Sequence, residues 1–265
     1  MDFTDFVPSG NQAVNPALYD IENGAIDRSG LLWSELARLA PWPGRVLLDL
    51  GCGSGLWLPR YQDAAEVIGV EPDASLLDLA RDRPGQAQVL HGSAEHIPLP
   101  DESVDVVHAR FAYFFPYAEF DPTPGLVEVR RVLKPGGKLV VIDNDTEKGE
   151  FAGLLKASPR AATQGQDTYA RDWWASKGAA TTRVMSSWEF DSRADLEAIL
   201  RLEFPRDVAD GWLQAHPTAR TWSTATCFIP GVETEASAHG RLSCGTGGTV
   251  PVIHLDETEQ PMLLT

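Results

Sequence analysis

The amino-acid sequence predicts an α/β fold in which a mostly parallel sheet carries helices on both faces. Two observations predict it. Short apolar runs alternate with segments whose apolar residues recur at helical spacing, from about residue 46 to residue 143. This alternation is typical of parallel strands that are covered on both sides. With 265 residues and 43% apolar content, the chain can also bury one large core.

The elements follow one another in a regular order. A helix is predicted before the first strand, because Leu32, Leu36 and Leu39 would share one of its faces. Pro41 and Pro43 end this helix. Five strands are then predicted, over residues 46–50, 66–70, 88–91, 103–109 and 138–143. The helices between them are predicted from about residue 57, over residues 73–83 and from residue 121 until Pro135, Gly136 and Gly137 stop the last of them.

The regular pattern lapses between residues 144 and 181. Beyond it the sequence predicts a helix over residues 192–204, a short helix around residues 208–215 and a last strand over residues 221–230. Residues 231–265 contain many glycines and acids and little core material, so we expect an acidic, Gly-rich and loosely held tail.

Composition excludes several classes of partner. The 38 acidic and 22 basic residues give a formal net charge of −16, which repels a phosphate backbone, so we expect no nucleic-acid substrate. No apolar stretch has the length of a membrane span, and no basic segment begins the chain. The three cysteines show neither metal-ligand spacing nor a disulfide pattern. These features predict a cytoplasmic protein that binds no membrane.

The loop after the first strand carries the strongest local signal. In "VLLDLGCGSGLWLPRY", residues 46–61, glycines stand at positions 51, 53 and 55. Glycine tolerates positive φ and close approach of another group, so the loop is suited to a nucleotide-like ligand. Glu71 follows twenty residues after Gly51, where a carboxylate can bind ribose hydroxyls. A dinucleotide fingerprint would need a third glycine at Leu56, which disfavours a nicotinamide dehydrogenase.

Four motifs together carry a family resemblance. They are "LLDLGCGSG", Glu71, "GSAEHIPLPDESVDVV" and "EVRRVLKPGGKLVVID", in this order between residues 45 and 143. They resemble the class I S-adenosylmethionine-dependent methyltransferases, in particular the type 11-like small-molecule group. The resemblance implies a Rossmann-like fold with a seven-stranded, mostly parallel sheet whose last strand is antiparallel. It also implies an enzyme that uses S-adenosyl-L-methionine and releases S-adenosyl-L-homocysteine.

The resemblance assigns the donor site to particular residues. Asp49 would reach the amino group of the methionine moiety, or cap the following turn. The resemblance places adenine contacts at Ser93, Ala94 and Glu95, although the family usually has Asp where this chain has Ser93. The full set of predicted donor-binding residues is Tyr19, Asp49, Gly51, Cys52, Gly53, Glu71, Pro72, Ser93, Ala94, Glu95 and Ala109.

The acceptor is predicted to be a small organic molecule, methylated on oxygen or nitrogen rather than on carbon. A sulfonium carries its own leaving group, so the protein need supply only positioning and, for a weak nucleophile, a general base. Candidate catalytic residues are His108, Tyr113 and Asp145, and candidate substrate contacts are Arg110, Phe114, Trp173 and Trp174. His108 could equally be a histidine bonded inside the sheet, and Arg110 could pair with a nearby acid. Magnesium-dependent catechol methyltransferases need an acid after the fourth strand, which is absent, so no metal site is expected.

The predicted organisation has three parts. Residues 1–44 would form N-terminal lid or cap helices, with Tyr19 over the donor. Residues 45–230 would form the methyltransferase domain, including an acceptor cap at about residues 145–181, and residues 231–265 the tail. A non-catalytic donor-binding sensor or scaffold remains the alternative function. A closed apolar floor at His108 and Asp145 would favour that alternative, and an open aromatic pocket would favour an enzyme.

Overall fold

The computed structural model contains one sheet of seven strands in the order β3-β2-β1-β4-β5-β7-β6. It describes residues 3, 5, 6, 16–114, 121–158, 168–179 and 181–233. The strands are β1 (Val46–Leu50), β2 (Glu66–Glu71), β3 (Gln88–His91), β4 (Val104–Arg110), β5 (Leu133–Lys148), β6 (Thr182–Glu189) and β7 (Thr221–Glu233).

Strands β1 to β5 pair in parallel, and β7 runs antiparallel to both of its neighbours, β5 and β6. In the register of the centre, Leu48 lies beside Ile68 on one side and Val107 on the other. The predicted α/β fold with a mostly parallel seven-stranded sheet and an antiparallel last strand is therefore confirmed.

The described helices cover both faces of this sheet. They are α1 (Pro16–Ala25), α2 (Leu31–Leu39), α3 (Leu77–Arg81), α4 (Thr123–Val132), α5 (Gly149–Ala157), α6 (Thr168–Ser176), α7 (Arg193–Glu203) and α8 (Arg206–Ala215). Leu47 packs in the cluster that includes residues of α2 and α7, whereas its neighbour Leu48 packs with residues of α4. Adjacent residues of one strand thus enter opposite cores, as a strand buried on both faces requires. No helix in these ranges combines the length and apolarity needed to cross a membrane.

Two local predictions were wrong. The helix predicted from about residue 57 is a single 3₁₀ turn, Leu58–Arg60, in which the amide of Tyr61 donates to the carbonyl of Leu58. The backbone leaves helical geometry at the fully buried Tyr61, where ψ is 33°, so the turn ends there. In the stretch from residue 144 to 181, where no regular element was predicted, β5 continues to Lys148 and α5 and α6 follow. Residues 234–265 of the predicted tail lie outside the described residues.

Arg131, near the end of α4, ties that helix to the segment that precedes β4. Its guanidinium donates to the carbonyls of Leu99 and Ile97 at 2.8 and 2.9 Å. It also pairs with Asp101 and Glu128, both at 2.8 Å. The adjacent Arg130 is exposed. The two arginines of the "EVRRVL" motif therefore have different environments, and only Arg131 bridges two parts of the backbone in this way.

We expect Arg131→Ala to lower the free energy of unfolding by about 1–3 kcal/mol, because two carbonyl groups lose their charged donor. The matched variant Arg130→Ala should change it by less than about 0.5 kcal/mol, as is usual for an exposed side chain. Urea denaturation of both variants measures the difference. Equal losses would show that Arg131 contributes no more than its exposed neighbour.

Candidate functional site

The glycine loop leaves the carboxyl end of β1 in a conformation that requires glycine. Gly51, Gly53 and Gly55 have φ values of 75°, 57° and 73°. A Cβ at Gly51 would collide with the side chain of Ala112, and one at Gly55 would lie 2.9 Å from the Cα of Ala80. The loop is fixed to β2, because the Gly51 and Cys52 amides donate to the Val70 carbonyl at 2.8 and 3.1 Å. This region is a preformed cradle of bare backbone.

Glu71, the last residue of β2, reaches the same loop. Its Oε2 accepts the Gly53 amide at 2.7 Å and its Oε1 accepts the Asp73 amide at 3.0 Å. Burial raises the pKa of the Glu71 carboxyl to about 7, although both amides act in the opposite direction. The carboxylate thus lies where the sequence places the ribose, at the tip of the second strand.

Asp49 and Arg110 form a buried ion pair beneath the loop. Arg110 Nη2 donates to Asp49 Oδ2 at 2.9 Å, and the side chains are 7% and 0% exposed. The guanidinium also stacks on Trp57, 4.1 Å from the ring centroid. Asp49 Oδ1 and Arg110 Nε are buried and have no hydrogen-bond partner among the described residues. Of the alternatives for Arg110, the ion pair with a nearby acid is present. The free oxygen of Asp49 remains able to accept from a cationic group.

Helix α1 lies over the loop and is held there by polar contacts. A Cβ at Gly53 would collide with the Tyr19 hydroxyl, so Tyr19 lies directly above the cradle. Asp20 accepts the Ser54 hydroxyl and the guanidinium of Arg83, both at 2.7 Å. Sequence reasoning found Tyr19 but missed Asp20 and Arg83, because no local pattern links residues so far apart in the chain.

The turn after β3 contains the predicted base-binding residues. The backbones of Ser93 and His96 exchange two hydrogen bonds of 3.2 Å, and Ser93 Oγ lies 3.4 Å from His96 Nδ1. Ala94 is buried and would contact any Cβ added at Gly125. Pro72, after β2, accepts from the His91 ring at 3.0 Å through its carbonyl. The ends of β2 and β3 are therefore joined at this edge of the site.

His108 lies inside the sheet layer rather than at its edge. The side chain is fully buried, with Nδ1 3.2 Å from the Tyr61 hydroxyl and the ring 5.7 Å from that of Trp42. Burial, reinforced by the charge of Arg110, lowers the pKa of His108 to about 3. The ring is therefore neutral at physiological pH. Ala109, its neighbour, is buried in the opposite core.

The segment after β4 turns back over the glycine loop. Phe111 and Phe114 have positive φ values of 50° and 70°. Tyr113 lies against Gly51, and burial, together with the charges of Glu71 and Asp5, raises the pKa of its hydroxyl. Tyr113 Oη is buried without a hydrogen-bond partner among the described residues. Phe114 is buried below it. The predicted catalytic Tyr113 thus faces the donor cradle.

Asp145 lies at a different place from Tyr113. Its carboxylate accepts from the guanidinium of Arg183 on β6, from Cys227 Sγ on β7 at 3.2 Å, and from the Glu147 and Lys148 amides. All of these donors lie on β5, β6 or β7. The structure therefore groups Asp49, Glu71, Arg110 and Tyr113 around the loop, whereas Asp145 is saturated by its own neighbours.

The paired tryptophans of α6 differ in burial. Trp174 is 2% exposed and its ring lies 6.4 Å from that of Phe114, whereas Trp173 is half-buried. The two rings meet edge to face at 4.9 Å. One tryptophan is thus part of the core, and the other is the one that a ligand could reach. In the described part of the chain, no group of three or more His, Cys, Asp or Glu residues is arranged to hold a metal ion.

The chain is similar to known methyltransferases. Residues 48–141 match a family model described as a methyltransferase domain. An uncharacterized methyltransferase of Mycobacterium tuberculosis is 38% identical over 111 residues, which are 42% of this chain and 44% of that protein. The demethylmenaquinone methyltransferase of Deinococcus radiodurans is 35% identical over 136 residues, 47% of this chain and 55% of that protein. The crystal structure of the YcgJ protein from Bacillus subtilis aligns with a TM-score of 0.53 and 19% identity, covering 77% of this chain and 98% of that chain.

These matches confirm the resemblance. The matching segment runs from β1 into β5, and the family that it matches implies S-adenosylmethionine as the methyl donor. The alignment with YcgJ shows that the fold is shared well beyond this segment. The chain spans less than half the length of the mycobacterial relative that it matches.

The raised pKa of Glu71 predicts how stability depends on pH. Its folded pKa of about 7 exceeds the ordinary value of 4.5, so its stabilising contribution is complete below pH 4.5 and is lost as pH rises through 7. Relative to Glu71→Gln, the wild-type free energy of unfolding should fall by about 2–3 kcal/mol between pH 5 and pH 8. Urea denaturation across this range measures it.

Glu66, exposed at the other end of β2, provides the matched control. The wild-type free energy of unfolding, relative to Glu66→Gln, should vary little over the same range. If the wild-type and Glu71→Gln curves run parallel, the carboxyl of Glu71 does not titrate near neutrality in the folded protein.

Proposed function

We propose that this protein transfers the methyl group of S-adenosylmethionine to a small organic acceptor, on an oxygen or nitrogen atom. The observation that carries the proposal is the convergence of two buried carboxylates, Asp49 and Glu71, on a backbone cradle that only glycine can form. The free Asp49 oxygen suits the amino group of the donor, and the Glu71 carboxylate suits the ribose hydroxyls.

The strand order sets the direction in which the donor would lie. The sheet runs β3-β2-β1-β4, with Asp49 on β1, Glu71 on β2 and the Ser93–Glu95 turn after β3. The methionine end would therefore lie over β1 and β4, the ribose over β2 and the base at β3. Residues 1–44 would act as a lid, a role supported by the position of the Tyr19 hydroxyl above Gly53.

The chain's own contribution to transfer is positioning and exclusion of water. A sulfonium supplies its own leaving group, so an acceptor held in line with the methyl carbon needs little further help. Tyr113 and the Arg110 guanidinium border the cradle, and Trp57 stacks beneath the guanidinium. Trp173 remains our candidate for the acceptor wall, because an aromatic ring suits a flat or apolar ligand, whereas the buried Phe114 packs with Trp174 in the core.

The net charge and one named relative support the acceptor class. A net charge of −16 disfavours an anionic polymer. One relative is named for demethylmenaquinone, which supports a small-molecule acceptor for this chain as well. The free thiols of Cys52 and Cys227 support a reducing cytoplasmic location.

We expect the protein to bind S-adenosylhomocysteine with one-to-one stoichiometry in isothermal titration calorimetry. Glu71→Ala should weaken binding by about 1.5–3 kcal/mol, the scale of hydrogen bonds to a charged group. The matched Glu66→Ala, at the exposed end of the same strand, should leave affinity unchanged.

Absence of binding by the wild type, or binding of a nicotinamide dinucleotide instead, would refute the proposal. Donor binding without turnover on a panel of phenols, amines and carboxylic acids would favour the sensor or scaffold. Methylation of protein or RNA, with no small molecule accepted, would overturn the acceptor class.

The general base stays a prediction, and the burial and lowered pKa of His108 favour a structural role for this residue. We expect His108→Asn to lower the free energy of unfolding by about 1–3 kcal/mol, because the Tyr61 hydroxyl loses its ring partner. Turnover and donor affinity should change little. A fall in turnover of about 10²- to 10⁴-fold with unchanged stability would instead identify His108 as the base.

A further inference from the structure

We propose that Asp5 completes the base-binding end of the donor site by accepting the 6-amino group of adenine. This inference rests on the proposed function, because it assumes that the nucleoside of the donor lies across the ends of β2 and β3. It adds a residue from the far N-terminal segment that none of the sequence motifs contains.

Asp5 has one oxygen engaged and one oxygen free. Its Oδ2 accepts the backbone amide of Glu95 at 3.0 Å. Its Oδ1 is buried and has no hydrogen-bond partner among the described residues. An ionised carboxylate offers several lone-pair sites, and a buried one without a donor is costly. The free oxygen can thus accept a hydrogen bond from an N–H group of a ligand at the turn after β3.

Ser93 has no carboxylate with which to accept the amino group of adenine. Its hydroxyl faces His96 Nδ1 at 3.4 Å, and its backbone amide and carbonyl are both bonded to the backbone of His96. The turn after β3 is closed on itself by these contacts. The carboxylate of Asp5 accepts the amide of Glu95, two residues after Ser93. It therefore provides, at the same turn, the negative charge that Ser93 lacks.

The segment that carries Asp5 is seated on β3 by an aromatic contact. The Phe3 ring meets the His91 ring edge-on, with centroids 5.0 Å apart and planes inclined by 79°, and lies 5.9 Å from the His96 ring. His91 is in turn bonded to the carbonyl of Pro72, which follows Glu71. The acid is therefore anchored to the two strands that would hold the nucleoside.

The position of Asp5 agrees with the geometry of a bound nucleoside. Glu71 and His91 are paired neighbours on β2 and β3, and adjacent strands lie about 4.8 Å apart. A ribose held by Glu71 therefore presents its base at the end of β3. The charge of Asp5 also adds to burial in raising the pKa values of both Glu95 and Tyr113. Asp5 thus contacts the β3 turn, and its charge is felt by the hydroxyl of Tyr113 beside the glycine loop.

The chemistry gives a selective test. Adenine presents a donor at its 6-position, whereas hypoxanthine presents a carbonyl oxygen that a carboxylate would repel. The wild type should bind S-adenosylhomocysteine about 10- to 100-fold more tightly than S-inosylhomocysteine, the range expected for hydrogen bonds to a charged group. Titration calorimetry with both compounds measures this preference.

Two variants separate recognition from folding. Asp5→Ala should weaken S-adenosylhomocysteine binding about 10-fold or more, and it should strengthen S-inosylhomocysteine binding, because the repulsion of the carbonyl oxygen is removed. In Asp5→Asn, the amide oxygen can keep the Glu95 contact, which places the NH₂ group at the free position. That variant should shift preference toward S-inosylhomocysteine. Asp78→Ala, an acid 92% exposed on α3, is the matched control and should retain wild-type preference.

Equal losses for both compounds in Asp5→Ala would overturn the inference, because they indicate a structural role. Equal gains would also overturn it, since they indicate that Asp5 fills the site in the absence of a ligand. An unchanged preference in both variants would place recognition of the base elsewhere. Failure of the wild type to bind either compound would remove the proposed function itself, an outcome distinct from these three.

Discussion

The contact between the Glu71 carboxylate and the Gly53 amide is the interaction on which the rest of the site depends. It joins the tip of β2 to the loop that leaves β1, and the Gly51 amide joins the same strands through the Val70 carbonyl. Gly51, Gly53 and Gly55 adopt left-handed φ values and have no side chains, so at these positions only backbone groups can hold the loop. Contacts to β2 supply that support, and Ser54 adds a contact to Asp20 of helix α1. The parallel register of β1 and β2 therefore fixes both the glycine loop and the position of Glu71.

The balance of charge around this unit favours a cationic ligand. Asp49 is paired with Arg110, but Glu71 has only backbone donors, and its pKa lies near 7 as a consequence of burial. A positive charge placed nearby would favour the ionised carboxylate and lower that pKa. The donor implied by the family carries a sulfonium and an ammonium group. The buried acids are thus costly in the free protein and become favourable when such a ligand binds.

Most of the fold could be predicted from the sequence, because the strands are apolar runs whose two faces are both buried, and such runs leave a clear local pattern. The glycine loop and Glu71 were predictable for the same reason, since their spacing along the chain fixes their spacing on adjacent strands. Other features were not. The helix predicted from about residue 57 is one 3₁₀ turn that ends at the buried Tyr61, and the burial of His108 depends on the rings of Trp42 and Tyr61, which come from other segments. Local spacing contains no information on such packing.

The N-terminal residues were the hardest to predict, because their partners lie far away along the chain. Asp20 meets Arg83 across 63 positions of sequence, and Asp5 meets Glu95 across 90. The ion pair between Asp20 and Arg83 is partly exposed, with side chains 37% and 23% accessible, so it contributes at most about 1 kcal/mol. Apolar packing therefore holds most of helix α1, because Ala25 is buried and Leu18 and Ile21 pack against the same core cluster. The Asp20 contacts add little energy to this packing, but they fix the helix against the glycine loop that Glu71 also holds.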